Sequence, residues 1–229
     1  MSDLPPAGDR KDFLIRQRNW ERYYLVKTPG LIKKIYRSYL WNIDTKEKIL
    51  YLTFDDGPHP VITPFVLQQL KRYDALGTFF CIGKNVVAYS EIYKQILNGG
   101  HSVGNHTYNH LNGWETDNDT YLKDVSEASK VIDSTLFRPC YGRITKFQAS
   151  HLKSVMNGKD PQVVMWDVLS GDFDTGCSPQ QCLANVVLAA VPGSIIVFHD
   201  SEKAFPRLEY TLPRILDYFS KKGYLFKAI

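Results

Sequence analysis

Ile49-Leu50-Tyr51-Leu52-Thr53-Phe54-Asp55-Asp56-Gly57-Pro58 is an apolar run that stops at two adjacent carboxylates and a Gly-Pro break. A short run of large apolar and β-branched residues closed by turn residues reads as a strand. Active sites of α/β barrels are built at the carboxyl ends of their strands, and that is where Asp55 and Asp56 fall. Asp-Asp-Gly alone is also an ordinary turn signal, so its surroundings decide its meaning.

Outward from this stretch, strand-like runs at 78–82, 136–138, 163–167, 194–198 and 224–227 alternate with helix-like stretches at 62–73, 91–97, 120–134, 179–190 and 212–221. With a short strand before His106 this makes about seven strands, and such alternation implies an α/β fold with a parallel sheet or barrel. No repeat, low-complexity tract or interior linker divides residues 49–229. They are expected to form one domain.

Some fifty residues after the carboxylates comes His106-Thr107-Tyr108-Asn109-His110. Four-residue spacing on a helical turn would place both imidazoles on one face, near enough to share a metal ion with a carboxylate. The rival reading is a pair of solvent-facing histidines near a helix start.

Five blocks in this order, TFDDGP at 53–58, HTYNH at 106–110, RPCYG at 138–142, SGDF at 170–173 and IVFH at 196–199, resemble those of the polysaccharide deacetylase family. That family is also called carbohydrate esterase family 4 or the NodB homology domain. The resemblance implies a distorted, incomplete (β/α) barrel of about seven parallel strands. It implies Asp56, His106 and His110 as ligands of a divalent metal, Zn2+ by default, with Co2+, Ni2+ or Mn2+ compatible with the same donors. By the same resemblance Asp55 is the catalytic base and Arg138 the cation that holds it. The Tyr141 backbone N–H is the oxyanion donor, and His199 is the acid that protonates the leaving amine. Asp172 is the carboxylate that offsets the metal's pull on His199. Without the family, Arg138 reads as a surface arginine and His199 as a hydrogen-bonded strand-end histidine.

Three positions depart from the family pattern. Cys140 stands where a second proline is usual, Phe173 replaces a tryptophan, and Leu169 sits where many members carry an acid. A thiol beside a metal pocket could ligate or oxidise, or be a small apolar filler. The implied activity is removal of N-acetyl groups from amino-sugar oligomers or glycans of chitin or peptidoglycan type. Alternatives are O-acetyl ester cleavage on acetylated xylan, a metal-independent amide or ring hydrolase, and a non-catalytic glycan-binding module.

With 23% charged and 44% hydrophobic residues, the 229-residue chain has the balance of a globular protein. No apolar run reaches the roughly 18 residues of a membrane span. Met1-Ser2-Asp3-Leu4-Pro5-Pro6 lacks the basic start and apolar stretch of a secretory signal, so a cytoplasmic location is expected. The four cysteines are then expected as reduced thiols, with a Cys177–Cys182 disulfide as the exported alternative.

The basic excess is confined to residues 11–48, which sum to +6, while residues 1–10 and 49–229 sum to −1 each. That distribution argues against nucleic-acid binding, which would need the excess on the domain itself. Residues 1–48 form a basic extension, disordered over 1–10. Leu31, Ile32, Ile35, Tyr36, Tyr39 and Leu40, with Lys33, Lys34 and Arg37 between them, suggest an amphipathic helix. Such a helix would pack on the barrel or plug its open seam, or lie on an anionic membrane as a peripheral contact.

Overall fold

A computed structural model describes residues 24–229. The tail expected to be disordered, residues 1–10, lies outside them.

The opening stretch forms β1 (Ile49–Asp55), every residue of which is buried. Its parallel neighbours are β2 (Gly77–Cys81) and β7 (Ile195–His199). Beyond β2 lie β3 (Ser102–Asn105), β4 (Leu136–Phe137) and β5 (Gln162–Val163), and beyond β7 lies β6 (Val168–Leu169). Seven parallel strands thus run β5-β4-β3-β2-β1-β7-β6, and β8 (Leu225–Phe226) pairs with Ile49 and Leu50. The sheet curls into an incomplete barrel.

Strand alternation sorts β1 into two faces. Leu50, Leu52 and Phe54 pack in the main core, which is shared with α2 (Ile62–Lys71), α7 (Pro179–Ala189) and α8 (Phe205–Lys221). Ile49 and Tyr51 face the lumen with Phe80, Val164 and Ile195. Thr53 and Asp55 continue that inner row upward and are bonded to Arg138. The lumen is therefore apolar below and polar at the strand ends, where the site lies.

The apolar run at 163–167 is not one strand. Only Val163 belongs to a strand, β5; β6 begins at Val168 on the opposite edge of the sheet, so residues 164–167 cross the seam. Unpaired sheet edges expose backbone donors and acceptors, and the extension satisfies them. Leu40 N donates to Val163 O (2.8 Å) and Met165 N to Leu40 O (2.7 Å) on one side. Thr28 N donates to Asp167 O (2.9 Å) and Leu169 N to Val26 O (2.8 Å) on the other. Lys27 and Lys33 each reach Asp167, at 2.5 Å, and Ser194 Oγ donates to the same carboxylate.

The helix expected over 31–40 is shorter and turned differently. α1 spans Gly30–Ile35 and buries none of its residues; Leu31 and Ile35 are 69% and 63% exposed. Edge pairing at Leu40 and the bond from Trp41 Nε1 to Tyr36 O pull the chain out of the helix. Ile32 and Tyr39 still pack against a buried cluster with Trp41, and Leu40 against the lumen cluster, while Lys33 turns to Asp167. The remaining helices are α3 (Gly83–Ala88), α4 (Ser90–Asn98), α5 (Asn118–Ser129) and α6 (Lys146–Val155). All four cysteines are buried. Among the described residues no helix is long and apolar enough to cross a membrane.

Candidate active site

Successive strand residues point to opposite faces, yet Asp55 and Asp56 both line one pocket of about 500 Å³. The left-handed backbone of Asp56 (φ 81) breaks the alternation. Its carbonyl is held by Asn85 Nδ2 at 2.8 Å. Gly57 follows because a Cβ there would stand 2.2 Å from Asp200 Oδ2. Asp200, whose Oδ2 accepts from Thr63 Oγ1, is raised by burial to about 7.

His106 and His110 lie on a loop, not on a helical turn. Thr107 (φ 64) and His110 (φ 63) are left-handed, which no helix allows. Side chains replace the helical acceptors: Thr107 N donates to Asn105 Oδ1 (2.8 Å), and Tyr108 N and Asn109 N donate to Asp124 Oδ1 (2.7 and 3.0 Å). Asn109 Nδ2 adds a bond of 2.6 Å to Asp124 Oδ2. The loop still brings the two rings to 5.3 Å between centroids.

Arg138 is fully buried rather than at the surface. It follows β4, whose Phe137 pairs with Asn105, so it emerges beside His106. Its Nη1 donates to Thr53 Oγ1 and Asp55 Oδ1, both at 2.7 Å, and its remaining nitrogens to Val164 O (3.1 Å) and Met165 O (2.9 Å). The guanidinium also lies 4.0 Å over the Phe80 ring. Five contacts fix it, and through it one oxygen of Asp55.

Strand register sets Asp55 opposite His199. Asp172, fully buried, accepts the His199 backbone N–H at 2.7 Å and faces ring Nδ1 at 2.8 Å. Burial opposes a charge on His199, but the Asp172 carboxylate outweighs it and the ring is raised to about 10. Tyr141 sits in a 3-10 turn with left-handed backbone (φ 59), and its ring meets His110 edge-on at 4.8 Å. Phe173 meets His199 edge-on at 5.4 Å, and Leu169 lines the same pocket.

The donor set fits a divalent metal. Asp56 Oδ1 is buried without a hydrogen-bond partner, 3.2 Å from His110 Nε2 and 3.9 Å from His106 Nε2. Burial works against its charge, yet the imidazoles around it hold Asp56 well below the usual carboxylate range. His106 Nδ1 lies 2.7 Å from Arg138 O, a group that only accepts, so Nδ1 carries the proton. Burial lowers His106 to about 4, leaving a neutral ring with the Nε2 lone pair turned to Asp56. An anionic oxygen and an imidazole lone pair aimed at one point are what a cation of this class requires.

Cys140 also has its sulfur within 4.8 Å of donor atoms of His106 and His110. The thiol is bonded to His106 O and Thr107 Oγ1, at 3.4 Å each, and burial pushes its pKa up. Those two bonds and the burial favour a neutral thiol at this position. The spacing within 106–110 gave no sign of Asp124, fourteen or more residues away, nor did any block mark Tyr24 or Trp166, which also line the pocket.

The sequence model of the family described as polysaccharide deacetylase matches residues 42–155. A peptidoglycan-N-acetylglucosamine deacetylase of Bacillus cereus is 33% identical over 195 residues, 82% of this chain and 90% of that protein. A chitooligosaccharide deacetylase of Azorhizobium caulinodans is 34% identical over 166 residues, 69% of this chain and 76% of that protein. A crystal structure of a peptidoglycan N-acetylglucosamine deacetylase superposes with a TM-score of 0.78 at 30% identity, covering 88% of this chain and 95% of that one.

Proposed function

This chain belongs to the polysaccharide deacetylase family, and on that footing we propose that it is a metal-dependent hydrolase that removes N-acetyl groups from amino-sugar glycans. The observation that carries the reading is the unpartnered Asp56 oxygen facing two imidazoles, with a separate carboxylate and a separate imidazole on either side. A divalent cation, Zn2+ by default, held by Asp56, His106 and His110 would acidify a water and polarise the acetyl carbonyl.

The chain's own groups do the rest. Asp55, with one oxygen fixed by Arg138, takes the proton of the attacking water. The Tyr141 backbone N–H donates to the oxyanion, a contact whose loss typically costs ~10²–10³ in rate. His199, held as an imidazolium by Asp172, gives its proton to the amine as the C–N bond breaks, releasing acetate. The named activities of the Bacillus cereus and Azorhizobium caulinodans relatives support an N-acetylated glycan, of peptidoglycan or chitin type, as substrate.

The test is acetate release from N-acetylglucosamine oligomers, peptidoglycan fragments and acetylated xylan, with and without chelator. Chelator-sensitive release from an amino-sugar substrate is expected. Release from xylan alone would favour the O-acetyl esterase, and none from any substrate would favour a glycan-binding module. A second proposal concerns Leu31, Ile35 and Tyr36, exposed beside Lys34 and Arg37 as a peripheral contact for an anionic membrane. Failure of the full chain to sediment with acidic liposomes at low salt would end it.

A further inference from the structure

Residues 24–28 run antiparallel to β6, with Lys27 opposite Val168. Their upstream end therefore lies at the carboxyl end of β6, where the pocket opens. That direction delivers Tyr24, from outside the 42–155 region of the family match, to the pocket wall.

Three contacts place the ring. It packs 5.1 Å from Phe173, tilted by 59°. Its hydroxyl donates to Asp174 Oδ2 at 3.2 Å, while Asp174 Oδ1 accepts the Gly176 N–H at 2.9 Å. Gly171 makes the room, since a Cβ there would lie 2.8 Å from the Tyr24 hydroxyl oxygen and its φ of +83 already favours glycine. Downstream, the bonds of Lys27 and Lys33 to Asp167 tie the segment to the sheet.

Phe173 contacts both Tyr24 and His199, so the three rings are linked through it along the pocket wall. At these spacings, a sugar with its nitrogen beside His199 would bring a neighbouring sugar within reach of Phe173 and Tyr24. Pyranose rings present an apolar C–H face and a rim of hydroxyls. Here they meet two aromatic rings and a carboxylate, a surface both apolar and polar. Tyrosine offers such area at small cost in side-chain freedom.

We propose that Tyr24, with Phe173 and Asp174, forms a subsite for the sugar flanking the one that loses its acetyl group. The extension thereby selects a glycan chain over a single sugar. This inference rests on the deacetylase reading, and two readouts separate them.

The probe is the N-acetylglucosamine tetramer, followed by acetate release and by calorimetric affinity, with Tyr24→Leu keeping apolar bulk and Tyr24→Phe keeping the ring. Tyr24→Leu is expected to raise both KM and Kd about five- to tenfold with a much smaller fall in kcat, the scale of one aromatic contact. Tyr24→Phe is expected to recover most of the affinity. Equal affinity of wild type and Tyr24→Leu would overturn the subsite whether or not acetate is released. A fall in kcat and melting temperature with KM unmoved would overturn it too, making Tyr24 an anchor only. Absence of acetate release by wild type, with affinity still dependent on Tyr24, would instead overturn the deacetylase reading and keep the subsite.

Discussion

Asp172 holds His199 at two points, one carboxylate oxygen on its backbone N–H at 2.7 Å and the other on its ring Nδ1 at 2.8 Å. A group gripped this way keeps both its position and its proton. The ring, raised to about 10, is charged below that pH and loses its proton as pH rises through it; a bound dication brings the value down. The upper limb of the pH profile should report this group. Asp172→Asn is expected to move the limb about 1–3 pH units lower, since the largest opposing charge is removed. Metal content should not change. A limb that stays in place would take the acid role away from His199.

Base and ligand are different carboxylates, and the two should separate. Asp55→Asn is expected to retain metal and lose about 10²–10⁴ in kcat. Asp56→Ala and His106→Ala are expected to emerge from purification without metal. Metal analysis with the opposite pattern would exchange their roles.

Asp124 accepts three bonds from the loop that carries His110. Asp124→Ala leaves two backbone donors and an amide without their acceptor, at about 1–3 kcal/mol for each that stays buried. It should also weaken metal affinity by roughly tenfold or more, the scale seen when support around a ligand is removed. Competition with a chromogenic chelator measures the second effect, and thermal melting the first. Undiminished metal affinity would make Asp124 a purely structural residue.

Lys27 and Lys33 share the buried carboxylate of Asp167. Either lysine alone can compensate it, but the double replacement Lys27→Met with Lys33→Met strands a buried charge, at ~3–5 kcal/mol. Burial raises Asp167, yet the two lysines outweigh it and hold it below its ordinary 3.8. The stability this pairing adds is therefore present above that value and lost as pH falls below it. Melting curves should show the double variant far below wild type at pH 7, with the gap closing in acid.

The central strand, its two carboxylates and the register of blocks along the chain were legible because each is local: an apolar run, a turn, a short motif. What escaped the reading is non-local. The spacing of His106 and His110 suggested a helix because the competing acceptor, Asp124, belongs to another element. The run at 163–167 looked like one strand because its hydrophobicity gives no hint that the sheet curls round and splits it. α8 extends upstream to Phe205 although Pro213 lies inside it, which a breaker rule places near the helix start. The inward turn of Lys33 within the expected stripe was not legible because its partner, Asp167, lies 134 residues away.

That separation has a consequence for how the chain reaches its native state. Residues 24–43 leave the ribosome early, but their partners at 163–169 and 193–194 leave it more than a hundred residues later. Contacts so distant in sequence carry a high loop-closure cost and form late. The first part of the described chain to be synthesised is thus the last to find its place. Until then the curled sheet has two open edges, whose unpaired donors and acceptors are exposed to pairing with another chain.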